Sequence, residues 1–146
     1  MRTMRTSVDE RAFAATVEHA PLAESGAIPT WNVRQRRAAR WHRGIARVLF
    51  GCLALQLFFA GLGVFGVTGF LPHAIMGIVI IASSFALPLI AWRGRLGPAL
   101  TRRSWLLAAL MILQGLLIDA GRVVPAISAL HPVNAMLLVL LTFSML

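Results

Sequence analysis

The chain contains no lysine, a single cysteine and only five acidic residues among its 146 positions. One cysteine, Cys52, excludes an intramolecular disulfide and leaves the redox compartment unreadable. Charge of either sign is scarce. Charged residues make up 13% of the chain and hydrophobic residues 58%, against about 25% and about 45–50% in soluble domains. The charges are also too unevenly spread to coat a soluble fold. Nine of the fourteen arginines and four of the five acids lie between Arg2 and Arg47; beyond Val48 the one acid is Asp119. No apolar segment follows Met1 until after Arg47, so the N-terminus does not read as a secretory leader.

Residues 1–30 are polar and mixed, with Pro21, Gly26 and Pro29, and repeat strongly at neither the helical nor the strand period. They read as a mobile tail with a helical turn or two around Val8–His19. Residues 31–47 set Arg34, Arg36, Arg37, Arg40, Arg43 and Arg47 among Trp31 and Trp41. Trp favours the headgroup level, and Arg meets anionic lipid and fixes orientation, so this reads as a basic juxtamembrane segment. A nucleic-acid site would use similar chemistry, but the stretch is short and abuts an apolar run, which favours lipid.

Four apolar runs follow, at about 45–67, 72–92, 104–124 and 129–146, each near the ~20 residues that a bilayer requires. The connections differ in charge. Thr68–Leu71 and Pro125–Leu130 are short and uncharged, whereas Arg93–Arg103 carries four arginines. The positive-inside rule puts the arginine-rich connections in the cytoplasm. The expectation is an all-α, up-down-up-down four-helix bundle over 45–146 in the cell membrane, with both termini cytoplasmic.

An offset of 58 residues aligns the two halves. Gln56 precedes His73 by seventeen residues, and Gln114 precedes His131 by the same interval. Under the offset Gly63 matches Gly121, Gly77 matches Ala135, Ser84 matches Thr142 and Ile75 matches Val133. The bundle thus reads as two copies of one helical hairpin, both entering from the same side.

Polar groups within spans are costly and usually face the bundle interior. His73 and His131 fall at matched depth, at the outward starts of spans two and four. These spans are diagonal neighbours, with axes roughly 12–14 Å apart if adjacent axes lie about 8–10 Å apart. That gap suits two neutral imidazoles reaching one iron, with a flat macrocycle between them. Gly63 and Gly121 would permit its close approach. Arg122 would pair with propionates, or with Asp119 three residues back. Gln56 and Gln114 read as interhelical hydrogen-bonding residues or contacts to a cofactor edge. A zinc site would need further ligands. Gly61–Gly66 spells G-x-G-x-x-G, but a dinucleotide site needs a preceding strand. Within an apolar helix the motif reads as a small packing face.

The pattern Gln56…GLGVFG…His73, then Gln114…His131-Pro132-Val133-Asn134-Ala135, resembles a small family of four-span bacterial membrane proteins of unknown function. It is also similar, over about Val48–Leu146, to one four-helix half of heme A synthase. That resemblance implies His73 and His131 as an axial pair for heme b. The enzyme carries a glutamate shortly before a histidine of its catalytic half. Here Gly69, Phe70, Leu71 and Pro72 precede His73, so the resemblance implies the cofactor-binding half without the oxidation chemistry. The sequence therefore leads to a b-type cytochrome-like protein for electron transfer or heme handling, with a redox partner, rather than to an enzyme. Its rivals are a cofactor-free accessory subunit and a small transporter built on Asp119.

Overall fold

The computed structural model describes residues 31–146; the expected N-terminal tail lies outside the described residues. The described chain is helical: α1 (Val33–Val64), α2 (Leu71–Ser84), α3 (Ala86–Arg93), α4 (Pro98–Gly121), α5 (Pro125–Ser128) and α6 (Leu130–Phe143). These group into four rods long and apolar enough to cross a membrane: Val33–Val64, Leu71–Arg93, Pro98–Gly121 and Pro125–Phe143.

The basic segment and the first apolar run are continuous. α1 runs through both. Its start is set by a capping box: Asn32 Oδ1 accepts from the Gln35 amide at 2.9 Å, and Gln35 Oε1 accepts from the Asn32 amide at 3.0 Å. The Arg- and Ala-rich turns that follow have high helix propensity, and nothing there breaks the ladder. With 32 residues, α1 is about 48 Å long, so its basic end extends beyond an apolar core about 30 Å thick.

α1 stops at a Schellman turn. Val67 N–H reaches Leu62 O at 2.9 Å and Gly66 N–H reaches Gly63 O at 3.2 Å, with Gly66 at φ 70°. A side chain disfavours that left-handed conformation, which is why glycine stands there. The second rod breaks at Phe85 between α2 and α3. Pro88 has no N–H to offer the Ser84 carbonyl, and its ring crowds that carbonyl. In the same turn the Ser84 hydroxyl donates to Ile81 O at 2.7 Å.

The connection expected over Arg93–Arg103 is mostly helix, because Pro98 opens α4 in the first turn, where a missing N–H costs nothing. Arg102 and Arg103 therefore ride on α4, and only residues 94–97 connect the rods. Gln35 Nε2 donates to Arg95 O at 3.2 Å, so the start of α1 satisfies a carbonyl of that connection.

Each rod packs on its neighbours in sequence, and α6 closes the ring against α1. No Cα of α2 or α3 comes within 8 Å of α5 or α6, nor any of α1 within 8 Å of α4. The second and fourth rods are therefore diagonal, as are the first and third. The buried stripe of α1 is Ala39, His42, Ala46, Leu49 and Leu53, at alternating steps of three and four. It meets Ile80, Leu87, Leu107, Met111, Leu138 and Met145. Most of this core lies toward the arginine-rich end. Lipid tails are as apolar as leucine, so close packing, rather than removal from water, holds such helices together. The outward faces are strongly apolar, with Ile78, Leu116, Met136 and Leu140 all exposed, a surface that suits a lipid bilayer.

Candidate functional site

The end opposite the arginines is organised by two hydrogen-bonded clamps. Gln56 Nε2 donates to the backbone carbonyl of His73 at 2.8 Å, and His73 Nδ1 lies 3.1 Å from the backbone carbonyl of Gln56. Gln114 and His131 repeat both bonds, each at 3.1 Å. A carbonyl oxygen can only accept, so both Nδ1 atoms carry the proton and donate. Both rings are thereby held as the tautomer whose lone pair is on Nε2.

Local sequence explains why the clamps form at the helix starts. Pro72 sits in the first turn of α2, directly before His73, and Pro132 directly follows His131 in the first turn of α6. A helix carbonyl that accepts from the N–H four residues on keeps a second lone pair, and His73 O and His131 O offer theirs to the glutamine of the neighbouring helix. Each clamp ties a span to the next one, α1 to α2 and α4 to α6.

The two rings approach each other across the diagonal that the helix backbones leave open. Their centres are 6.2 Å apart and their planes 58° apart. Both line one cavity of about 140 Å³, together with Gln56, Gln114, Gly77 and Met111. Its remaining wall is aliphatic, so the two Nε2 atoms are the nitrogen donors offered to an otherwise apolar space. Gly77 matters by size: a Cβ there would lie 3.1 Å from Gln56 Nε2 and press on the first clamp.

The two clamps differ in what meets the glutamine oxygen. Asn134, three residues after His131, donates to Gln114 Oε1 and also to Leu110 O at 2.9 Å. The residue three after His73 is Met76, and Gln56 Oε1 is buried without a donor.

Comparison with family models, with curated proteins and with solved structures gives no match.

The remaining residues singled out from sequence fall away from the cavity. Gly63 takes the Phe70 ring: a Cβ on Gly63 would lie 2.8 Å from it. Gly121 takes Ser128, whose hydroxyl occupies the place a Cβ would need. Phe70 and Ser128 each stand three residues before a histidine, so the two glycines seat the turns that deliver the imidazoles. Arg122 pairs with Asp119 at 3.6 Å, both largely exposed, and neither lines the cavity.

One buried polar pair escaped the sequence reading. At the arginine-rich end His42, fully buried, lies 2.9 Å through Nε2 from Ser104 Oγ. Ser104 gives its proton to Leu100 O at 2.9 Å, so His42 Nε2–H is the donor and Nδ1 keeps an unpartnered lone pair. The signal was present in the stripe spacing, since His42 falls three residues after Ala39 and four before Ala46, but the surrounding arginines concealed it.

Proposed function

We propose that this protein is a multi-pass membrane protein of b-type cytochrome character, holding one heme between His73 and His131 for electron transfer or heme handling. The observation that carries the reading is the pair of oriented imidazoles. A metal-bound histidine characteristically donates its other ring N–H to a carbonyl or carboxylate, which fixes the ring and raises its basicity. Both histidines make that bond, to Gln56 O and Gln114 O.

Spacing and donor number support the same reading. An imidazole nitrogen lies roughly 1.2 Å from its ring centre and binds a metal at about 2.0–2.1 Å, so two rings facing across one ion sit about 6.4 Å apart. The rings here are 6.2 Å apart. Two imidazoles alone leave a bare zinc ion short of its usual four ligands. Among the described residues no group of three or more His, Cys, Asp or Glu could hold a metal ion. A heme brings four ring nitrogens of its own and needs only the axial pair. The donor set therefore fits. The cavity, at about 140 Å³, is smaller than the roughly 300 Å³ at which cofactor pockets begin. A macrocycle would therefore need aliphatic side chains of the cavity wall, Leu57, Ile81 and Val139 among them, to move aside while the two clamps keep the imidazoles at their present spacing.

In this reading His73 and His131 would hold the heme through Nε2, the backbone carbonyls of Gln56 and Gln114 keep both rings in the tautomer that leaves Nε2 free, and the chemistry gained would be reversible one-electron transfer. The matched clamps are the functional core of two repeated hairpins with an offset of 58. The basic end faces the cytoplasm, where Arg34–Arg47 meets anionic headgroups, and a redox partner docks at the opposite face.

A second reading, a cofactor-free accessory subunit, is favoured by one observation: the clamps already satisfy each histidine's Nδ1 and tie the spans together without any cofactor. Heme content separates the two. Extracted pigment, assayed in wild type and in His73→Ala and His131→Ala, should fall at least tenfold in either variant. Wild-type protein that carries no heme after expression with added heme supports the accessory subunit instead.

A further inference from the structure

We infer that the cleft between α1 and α3, together with the groove that adjoins it, is a binding site for one anionic phospholipid molecule. The inference is independent of the heme reading and concerns the opposite end of the bundle.

The head of the site is a cleft of about 310 Å³ lined by Arg34, Arg37, Arg93, Trp41, Leu89 and Ile90. Three arginines from two different rods line it. Arg34 is drawn toward Arg93 through its carbonyl, 3.4 Å from Arg34 Nη2. A cluster of like positive charges favours an anion, and arginine's planar fork matches phosphate oxygens.

The tail of the site is an apolar groove of about 610 Å³ between α1 and α2. Trp41 lines both cavities, so the basic cleft and the groove adjoin at that side chain. On α1 the lining steps from Arg34 and Arg37 through Trp41, Gly44 and Val48 to Cys52, three or four residues at a time, so it follows one helix face. The opposite wall descends from Arg93 through Leu89 to Ser83 and Val79. Small residues hollow the groove, and a Cβ on Gly44 would meet nothing within 4 Å. The helical rise from Trp41 to Cys52 is about 16 Å, close to one leaflet of an apolar core about 30 Å thick.

A basic head adjoining an apolar slot one leaflet deep matches a phospholipid in both charge and length. Free phosphate would leave the groove unused, and a neutral lipid would leave the three arginines unanswered.

Native mass spectrometry of the full-length chain in mild detergent, titrated with phosphatidylglycerol, tests this. One retained lipid per chain is expected, with phosphatidylcholine and glycerol phosphate each at least tenfold weaker. Arg34→Gln, Arg37→Gln and Arg93→Gln combined should weaken retention at least tenfold. Arg36→Gln, Arg40→Gln and Arg43→Gln combined removes the same charge from residues that do not line the cleft, and should change it less than threefold. Gly44→Phe fills the groove without touching the arginines and should weaken retention at least tenfold. Equal losses in the two triple variants would overturn the site in favour of diffuse attraction. Equal retention of phosphatidylcholine, full competition by glycerol phosphate, or undiminished retention by Gly44→Phe would each overturn it as well. Circular dichroism melts identify any variant that fails to fold; the wild-type lipid comparison and Gly44→Phe then decide.

Discussion

Asn134 gives Gln114 the hydrogen bond that Met76 cannot give Gln56. Gln114 thus has both ends of its side-chain amide engaged, to His131 O and to Asn134, whereas Gln56 donates to His73 O and keeps a buried oxygen with no donor. An unsatisfied buried acceptor carries a desolvation cost of about 1–3 kcal/mol; in the first clamp it falls on the glutamine itself, at Gln56 Oε1, and in the second on Asn134 Oδ1.

This asymmetry has a measurable consequence. Gln114→Leu should destabilise the bundle by about 1–2 kcal/mol, since it removes a fully engaged amide and one of the two acceptors of Asn134 Nδ2. Gln56→Leu should cost less, because it also removes the stranded oxygen. Met76→Asn, which supplies the missing donor, should be neutral or stabilising. Reversible unfolding in mixed detergent micelles ranks the three. A larger loss for Gln56→Leu would contradict the hydrogen-bond assignment.

The glycines that seat the histidine turns should be intolerant to different degrees. Gly63→Ala meets the Phe70 ring, which can swing aside, so a loss of about 1 kcal/mol is expected. Gly121→Ala meets Ser128 at its side chain and close to its backbone amide, where relief requires moving α5, so about 2–3 kcal/mol is expected. Pairing Gly121→Ala with Ser128→Gly should recover part of that loss. Thermal melts of the three proteins check the order, and a Gly121→Ala protein as stable as wild type would contradict the close contact.

Much of the fold is readable from the sequence because a bilayer imposes a length. Four apolar runs near twenty residues, separated by short turns, already require four rods in antiparallel succession. Helix boundaries were less legible. Hydropathy marks where lipid begins, not where hydrogen bonding begins, so the capping box at Asn32 and the proline start at Pro98 extend α1 and α4 past their apolar cores. The break at Phe85 follows from Pro88, a single residue in a run that otherwise looks continuous.

The candidate site was half visible. The seventeen-residue interval between glutamine and histidine is plain in both halves, but its cause is a backbone relationship: each histidine ring bonds the carbonyl of its glutamine, and no side-chain pattern encodes that. The roles of Gly63 and Gly121 were hidden for a similar reason. The residues they accommodate, Phe70 and Ser128, differ in type and agree only in position.

His42 and Ser104 offer an independent check at the other end of the core. Ser104→Ala removes the acceptor from His42 Nε2–H and leaves a fully buried imidazole with no partner for either nitrogen, so a loss of about 1–3 kcal/mol is expected. Replacing both residues with apolar ones, His42→Leu with Ser104→Ala, should cost less than the single serine change. A double-mutant cycle measured by thermal unfolding reads the coupling directly, and additive losses would contradict it.

The central claim is that two oriented imidazoles, 6.2 Å apart, form the axial pair for one heme. The most direct measurement is a reduced-minus-oxidised absorption spectrum of the purified wild-type protein in mild detergent. A sharp low-spin b-type difference spectrum, near one heme per chain, is the predicted result. A flat difference spectrum after expression with added heme would contradict the claim and leave the clamps as helix-fastening devices alone.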